Sequence, residues 1–211
     1  MTHGLRGALL ALAVVGVAGC GPPPQSAPPA TGLATPGGSA IGSSSPRPSP
    51  PPSPAVGSTM VDATLLDLLP PDVAGVELTA DEATAVGVVS DPALGRSVEG
   101  LAVAVAFGPE PTASQGLDYV IVTLARLRPG VFGVAFFRDW RDSFDEAVCV
   151  QAGGVEGHAE AEIAGHETFI GSCSGGVRTY HVYLPESDVM VSMQGSGEGR
   201  YGELVVEGLR E

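Results

Sequence analysis

Between Gly21 and Ser58 the chain is built from Pro, Gly, Ser, Ala and Thr, with one charge at Arg47 and only scattered apolar side chains. Such a stretch buries too little surface to offset the entropy of ordering its backbone. The sequence therefore predicts disorder there, with extended polyproline segments at Pro22–Pro24 and Pro50–Pro52. This confines any core to the span from Thr59 to Glu211, enough of the 211 residues for one domain of ordinary size. At roughly 3 Å per residue where extended, the tract reads as a spacer between that domain and whatever precedes it.

What precedes it is short. Met1–Gly7 carries Arg6, and Ala8–Ala18 is an uncharged apolar run. The run has the length of a signal-peptide core and is too short to span roughly 30 Å of hydrocarbon. A buried core helix is the competing assignment, but the Pro-rich tract that follows offers nothing to pack against. Val17-Ala18-Gly19-Cys20 closes the run and resembles the lipobox of bacterial lipoproteins, a branched apolar residue and two small ones before a Cys. The resemblance covers only these twenty residues. It implies a signal peptide of residues 1–19, cleavage after Gly19, a diacylglycerol on the Cys20 sulfur, and a protein lipid-anchored at the extracytoplasmic face of the cell membrane. It implies an address, not an activity. Lys and Asn, both with A/T-rich codons, are absent from the chain, in keeping with a high-GC, actinobacterial-like source.

The formal net charge is -14, and every acidic residue lies at or after Asp62. Of ten basic residues, all Arg, only Arg6 and Arg47 precede it, so the folded span sets 24 acids against 8 Arg, a formal -16. A domain with that field repels phosphate backbones and has no cationic stripe to release their counterions, which argues against nucleic acid as a partner. Contact with the membrane falls to the anchor.

Within residues 59–211 the pattern predicts an α+β domain. Leu65–Leu69 suggests a short helix stopped by Pro70-Pro71. Thr79-Ala80-Asp81-Glu82 has the form of a capping box and starts a second helix, and Asp91-Pro92 starts a brief third turn. Leu101–Phe107 and Leu117–Leu127 are apolar, β-leaning runs, with Pro109 and Pro111 in the loop between them. From Phe132 to Cys149 the period changes to four. Phe136, Trp140, Phe144 and Val148 predict a core-facing stripe, and Arg138, Asp139, Arg141, Asp142, Asp145 and Glu146 a solvated face with Arg138–Asp142 and Arg141–Asp145 pairs. Strands return at 158–163, 167–173, 177–184 and 189–194, and Arg200–Arg210 closes as a helix. The expectation is a mainly antiparallel sheet of about six strands, packed by the central aromatic helix, N-terminal helices and a C-terminal helix. This order is broadly similar to that of small extracytoplasmic domains of actinobacterial lipoproteins, including those with a PsbP-like sandwich.

With Cys20 assigned to lipid, Cys149 and Cys173 form an even pair in an oxidising compartment, and a disulfide is expected. Gly171-Ser172-Cys173-Ser174-Gly175 also matches the spacing of a nucleophile elbow, but that motif needs a helix after the Cys, and Val177–Leu184 alternates like a strand. His158, Glu160 and Glu162, with Glu156 and possible extension to His166, alternate along one strand face, a row able to ligate a divalent cation or to serve as a solvated, charged edge. His166-Glu167 begins a zinc-protease motif that fails at Ile170. Arg178, Tyr180, His181 and Tyr183 are candidate ligand-lining residues, with packing against a helix as the alternative. Gly195–Gly199 precedes a helix but lacks the Lys of a phosphate loop, and reads as a connection. No catalytic set is complete and no cofactor is called for. The expectation is an envelope module that binds a protein, wall or small-molecule partner, with a metal-dependent or hydrolytic envelope enzyme as the alternative.

Overall fold

The computed structural model describes residues 57–109 and 116–211. Cys20, the expected signal segment, the expected tether through residue 56 and Pro111 lie outside them. From Met60 the chain lays down β1 (Met60–Val61), a 3₁₀ turn (Ala63–Leu68), a small hairpin of β2 (Asp72–Val73) and β3 (Val76–Glu77), β4 (Thr79–Ala80) and α1 (Glu82–Val89). A second 3₁₀ turn (Leu94–Arg96) leads into β5 (Val98–Phe107) and β6 (Tyr119–Leu127). Then come α2 (Val134–Cys149), β7 (Val155–Ile163), β8 (His166–Cys173), β9 (Arg178–Leu184), β10 (Val189–Ser196) and α3 (Tyr201–Glu207).

The expected α+β class holds, but the sheet is larger than six strands. Eight strands join in the order β1-β5-β6-β10-β9-β8-β7, with β4 also on β5. β1 runs parallel to β5 and the other pairings are antiparallel. β1 and β4 share the outer edge of β5, β1 at Gly100–Leu101 and β4 at Ala104–Val105. Two-residue strands carry no legible period, which is why the sequence did not reveal them. β4 also displaces the start of α1. Thr79, expected as the cap, is spent on β5, where its hydroxyl donates to the Val105 carbonyl at 3.2 Å. Asp81 caps instead, accepting from the Thr84 amide at 3.0 Å and from its hydroxyl at 2.6 Å. These bonds, the hydroxyl's foremost, hold the Asp81 carboxyl below the ordinary carboxylate range.

Both faces of the sheet are covered, and strand alternation sorts the core into two. One face presents Ala102 and Ala104, Val120 and Val122, Val182 and Leu184, and Val191 and Met193 to α3 and the first 3₁₀ turn. The other presents Leu101, Val103, Ala125, Leu127 and Met190 to α1 and α2. The first core is the larger. The aromatic helix, expected as the main contributor, packs over the smaller one.

α2 is also turned by one residue from the expected stripe. Its most buried positions are Phe137, Asp145 and Cys149, at 9 %, 1 % and 0 % exposure, while Phe136, Trp140, Phe144 and Val148 flank them half-buried. One residue is about 100° of helix rotation. Two tertiary bonds set this angle: the Cys149–Cys173 disulfide, with Cα atoms 5.1 Å apart, and the seating of Asp145 on the sheet. The expected one-turn pairs are replaced by sequence neighbours, Arg138 with Asp139 and Arg141 with Asp142. No helix among the described residues is long and apolar enough to cross a membrane.

Candidate functional site

β9 divides the expected ligand-lining set. Arg178 and Tyr180 point to the α3 side and His181 and Tyr183 to the α2 side, because successive strand residues face opposite ways. The four do not form one surface. Tyr183 stacks on Phe132, with ring centroids 3.5 Å apart, and donates to Asp188 at 2.6 Å. Burial, then the hydrogen bond and charge of Asp188, push its phenol up to about 12.

On the α2 side His181 enters a polar network whose centre is buried inside the domain. Asp145 Oδ1 accepts from Thr179 Oγ1 at 2.5 Å and from His181 Nε2 at 2.8 Å. Its Oδ2 faces His158 Nε2 at 3.0 Å. His181 Nδ1 lies 3.0 Å from Ser192 Oγ, which accepts from Trp140 Nε1 at 3.1 Å. A carboxylate only accepts, so His181 donates through Nε2 to Asp145, while the direction of the Nδ1–Ser192 bond follows the tautomer. Burial alone would raise the Asp145 carboxyl. Hydrogen bonds from His181 and Thr179, and the charge of His181 and His158 when protonated, overcome it and hold the carboxyl below its ordinary range.

Ser192, His181 and Asp145 have the composition of a nucleophilic triad, but their exposures are 2 %, 0 % and 1 %. No substrate reaches them, and the network is a satisfied polar core that seats α2 on the sheet. Gly171 makes room for it. A Cβ there would fall onto the Thr179 hydroxyl and 2.7 Å from Asp145 Oδ2.

The metal candidates His158, Glu160 and Glu162 stand on one face of the edge strand β7, as the alternation predicts. His158 is engaged by Asp145, opposite Gly171 on β8. A register shift between Val155 and Gly157 takes Glu156 out of the row, and His166 pairs with Ile163, on the other face. Among the described residues no group of three or more His, Cys, Asp or Glu is arranged to hold a metal ion. Glu160 and Glu162 are exposed on a strand paired only with β8, where charge discourages edge-to-edge association. Cys173, weighed as a nucleophile, is bonded to Cys149.

The α3 side carries a cleft of about 480 Å³ that includes Arg178, Tyr180, Glu198, Arg200, Tyr201 and Glu203. Glu203, its side chain 12 % exposed, accepts from Arg178 Nη1 at 3.3 Å and from the Tyr180 hydroxyl at 3.4 Å through one oxygen, and pairs with Arg200 through the other. Glycines shape the walls. A Cβ on Gly202 would overlap the Tyr180 ring, and one on Gly195 would meet the Tyr119 carbonyl at 2.9 Å. The segment read as a connection, Gly195–Gly199, thus lines the cleft through Gly195–Glu198, and Asp118 Oδ1 pins its end by accepting from the Gly199 amide at 2.7 Å. Burial, and to a lesser degree Asp118, raise the Tyr201 phenol above its ordinary value.

The cleft sits beside the Tyr119–Ser196 end of β6 and β10, whereas Arg128, just past the other end of β6, donates to the Ser58 carbonyl at 3.0 Å. Nine strand residues, about 30 Å at 3.3 Å each, separate the two ends. Asp145, Ser192, Arg200 and Glu203 carry these two sites and were not among the sequence candidates. Asp145 read as helix surface, and only its spacing of four from both Arg141 and Cys149 hints at the buried stripe. Compared with known proteins, the chain matches no family model, no curated protein and no solved structure.

Proposed function

We propose that the chain is a membrane-anchored extracytoplasmic lipoprotein whose folded domain binds a partner, with the α3-side cleft as its binding site. The observation that carries this is the Cys149–Cys173 disulfide. It accounts for two of the three cysteines and suits an oxidising compartment, while the third, Cys20, stands at the end of the apolar run in a lipobox-like sequence. The acidic domain then needs no basic surface to stay at the membrane. Binding is favoured over catalysis because the Ser192–His181–Asp145 set is closed to solvent, whereas the accessible cleft holds positioned charges and lies at the far end of the sheet from Ser58. The alternative, a metal-dependent or hydrolytic envelope enzyme working through His158, loses its lead residue to Asp145. Membrane fractionation of cells expressing Cys20→Ser tests the anchor. The variant is expected to leave the membrane fraction and to take up no labelled fatty acid, and unchanged retention with labelling refutes the proposal.

A further inference from the structure

The cleft's own side chains point to what it takes. Arg178 and Arg200 each offer five N–H donors, and each turns one edge to the same carboxylate, Glu203. The Tyr180 hydroxyl adds a third donor to it. Glu203 is therefore a carboxylate already held at the back of the site, and it orients both guanidinium planes. Both arginines line the cleft, and their side chains remain 56 % and 68 % exposed, which leaves donors open to solvent there.

Arg200 reaches this position at a conformational cost. Its φ of 51° is left-handed, a region a side chain pays to occupy. Gly197 takes positive φ in the same loop, at 97°, whereas position 200 holds an arginine.

Charge decides between anions. Arg178 and Arg200 against Glu203 and the rim Glu198 leave the lining formally neutral, so a single carboxylate meets less repulsion there than a dianion. A phosphate dianion carries twice the charge of a carboxylate, so the formal -16 of the folded span opposes it more strongly. The volume, about 480 Å³, falls within the roughly 300–1,000 Å³ of small-ligand sites. We propose that the cleft binds a small, peptide-sized ligand through a free carboxylate gripped by Arg178 and Arg200. This rests on the binding role proposed above and names the ligand class for the same site.

The test uses the full-length protein extracted from membranes in detergent, titrated calorimetrically with N-acetyl-dialanine, with its C-terminal amide, and with inorganic phosphate. The acid is expected to bind at least about tenfold more tightly than the amide, the scale of one charge-assisted hydrogen bond, and more tightly than phosphate. Arg200→Gln and Arg178→Gln, both at exposed side chains, are each expected to remove the preference for acid over amide while leaving the circular dichroism spectrum unchanged. Equal binding of acid and amide overturns the carboxylate claim but leaves a binding cleft. Tighter binding of phosphate, or a preference that survives both arginine changes, overturns it as well. Binding of none of the three overturns it together with the role of the cleft, and the Cys20→Ser fractionation still decides the anchor separately.

Discussion

Replacing Asp145 by Ala removes the acceptor at the buried centre of the network. Thr179 and His181, each 0 % exposed, lose the partner of a hydroxyl and of an imidazole N–H. Each buried donor left without a partner costs about 1–3 kcal/mol, so the two together cost roughly 4 kcal/mol. His158, with its side chain 44 % exposed, turns to water and adds little. Against the roughly 5–15 kcal/mol that stabilises a domain, this is a large fraction, and it corresponds to a fall in Tm of about 8–16 °C for a fold of this size. Trp140, the only tryptophan, donates into the network through Ser192 and reports on it by fluorescence during urea unfolding. The origin of the cost is checked by adding Thr179→Val, which takes away one stranded donor. The double variant is expected to be no less stable than Asp145→Ala alone. A loss below about 1 kcal/mol for Asp145→Ala, or fully additive losses in the pair, would show that burial of these donors is not what the carboxylate compensates.

Gly171→Ala places a Cβ against Thr179 and Asp145 and is expected to cost about 1–3 kcal/mol, seen as a lower urea midpoint at unchanged slope. Reducing the Cys149–Cys173 bridge, which closes a separation of 24 residues, is expected to cost roughly 3 kcal/mol, read as a lower midpoint of urea unfolding in dithiothreitol. Because the folded domain lowers the Asp145 carboxyl below its ordinary 3.8, its contribution to stability is present above that pH and is lost as the pH falls through the lower, folded value. Unfolding followed between about pH 5 and 2 is therefore expected to show an acid-side loss that is shallower in Asp145→Asn.

Much of the framework was legible because it repeats. β5 and β6 announce themselves as apolar β-branched runs, α2 by its period of four, and the β7–β8 and β9–β10 hairpins by alternation around Ala164-Gly165 and Pro185–Asp188. The cysteine pair followed from counting, once Cys20 had another assignment. The misplacements have local causes. A two-residue strand at Thr79–Ala80 took the residue expected to cap α1, and Asp145, a charged residue in a run of charged residues, hinted at burial only through its spacing of four from Arg141 and Cys149.

The candidate sites were less legible than the framework for a different reason. Alternation along β9 could say that Arg178 and Tyr180 share one face and His181 and Tyr183 the other, but not what covers each face. The sequence by itself determined where a core can form, which segments become strands and helices, and which two cysteines lie within the folded span, since composition and short-range period carry that information. Only the tertiary structure decided that α2 rolls Asp145 onto His181, and that Glu203 of α3 meets Arg178 of β9, 25 residues earlier. Those contacts depend on how helices settle across a sheet, and a rotation of one residue exchanges a solvated carboxylate for a buried one.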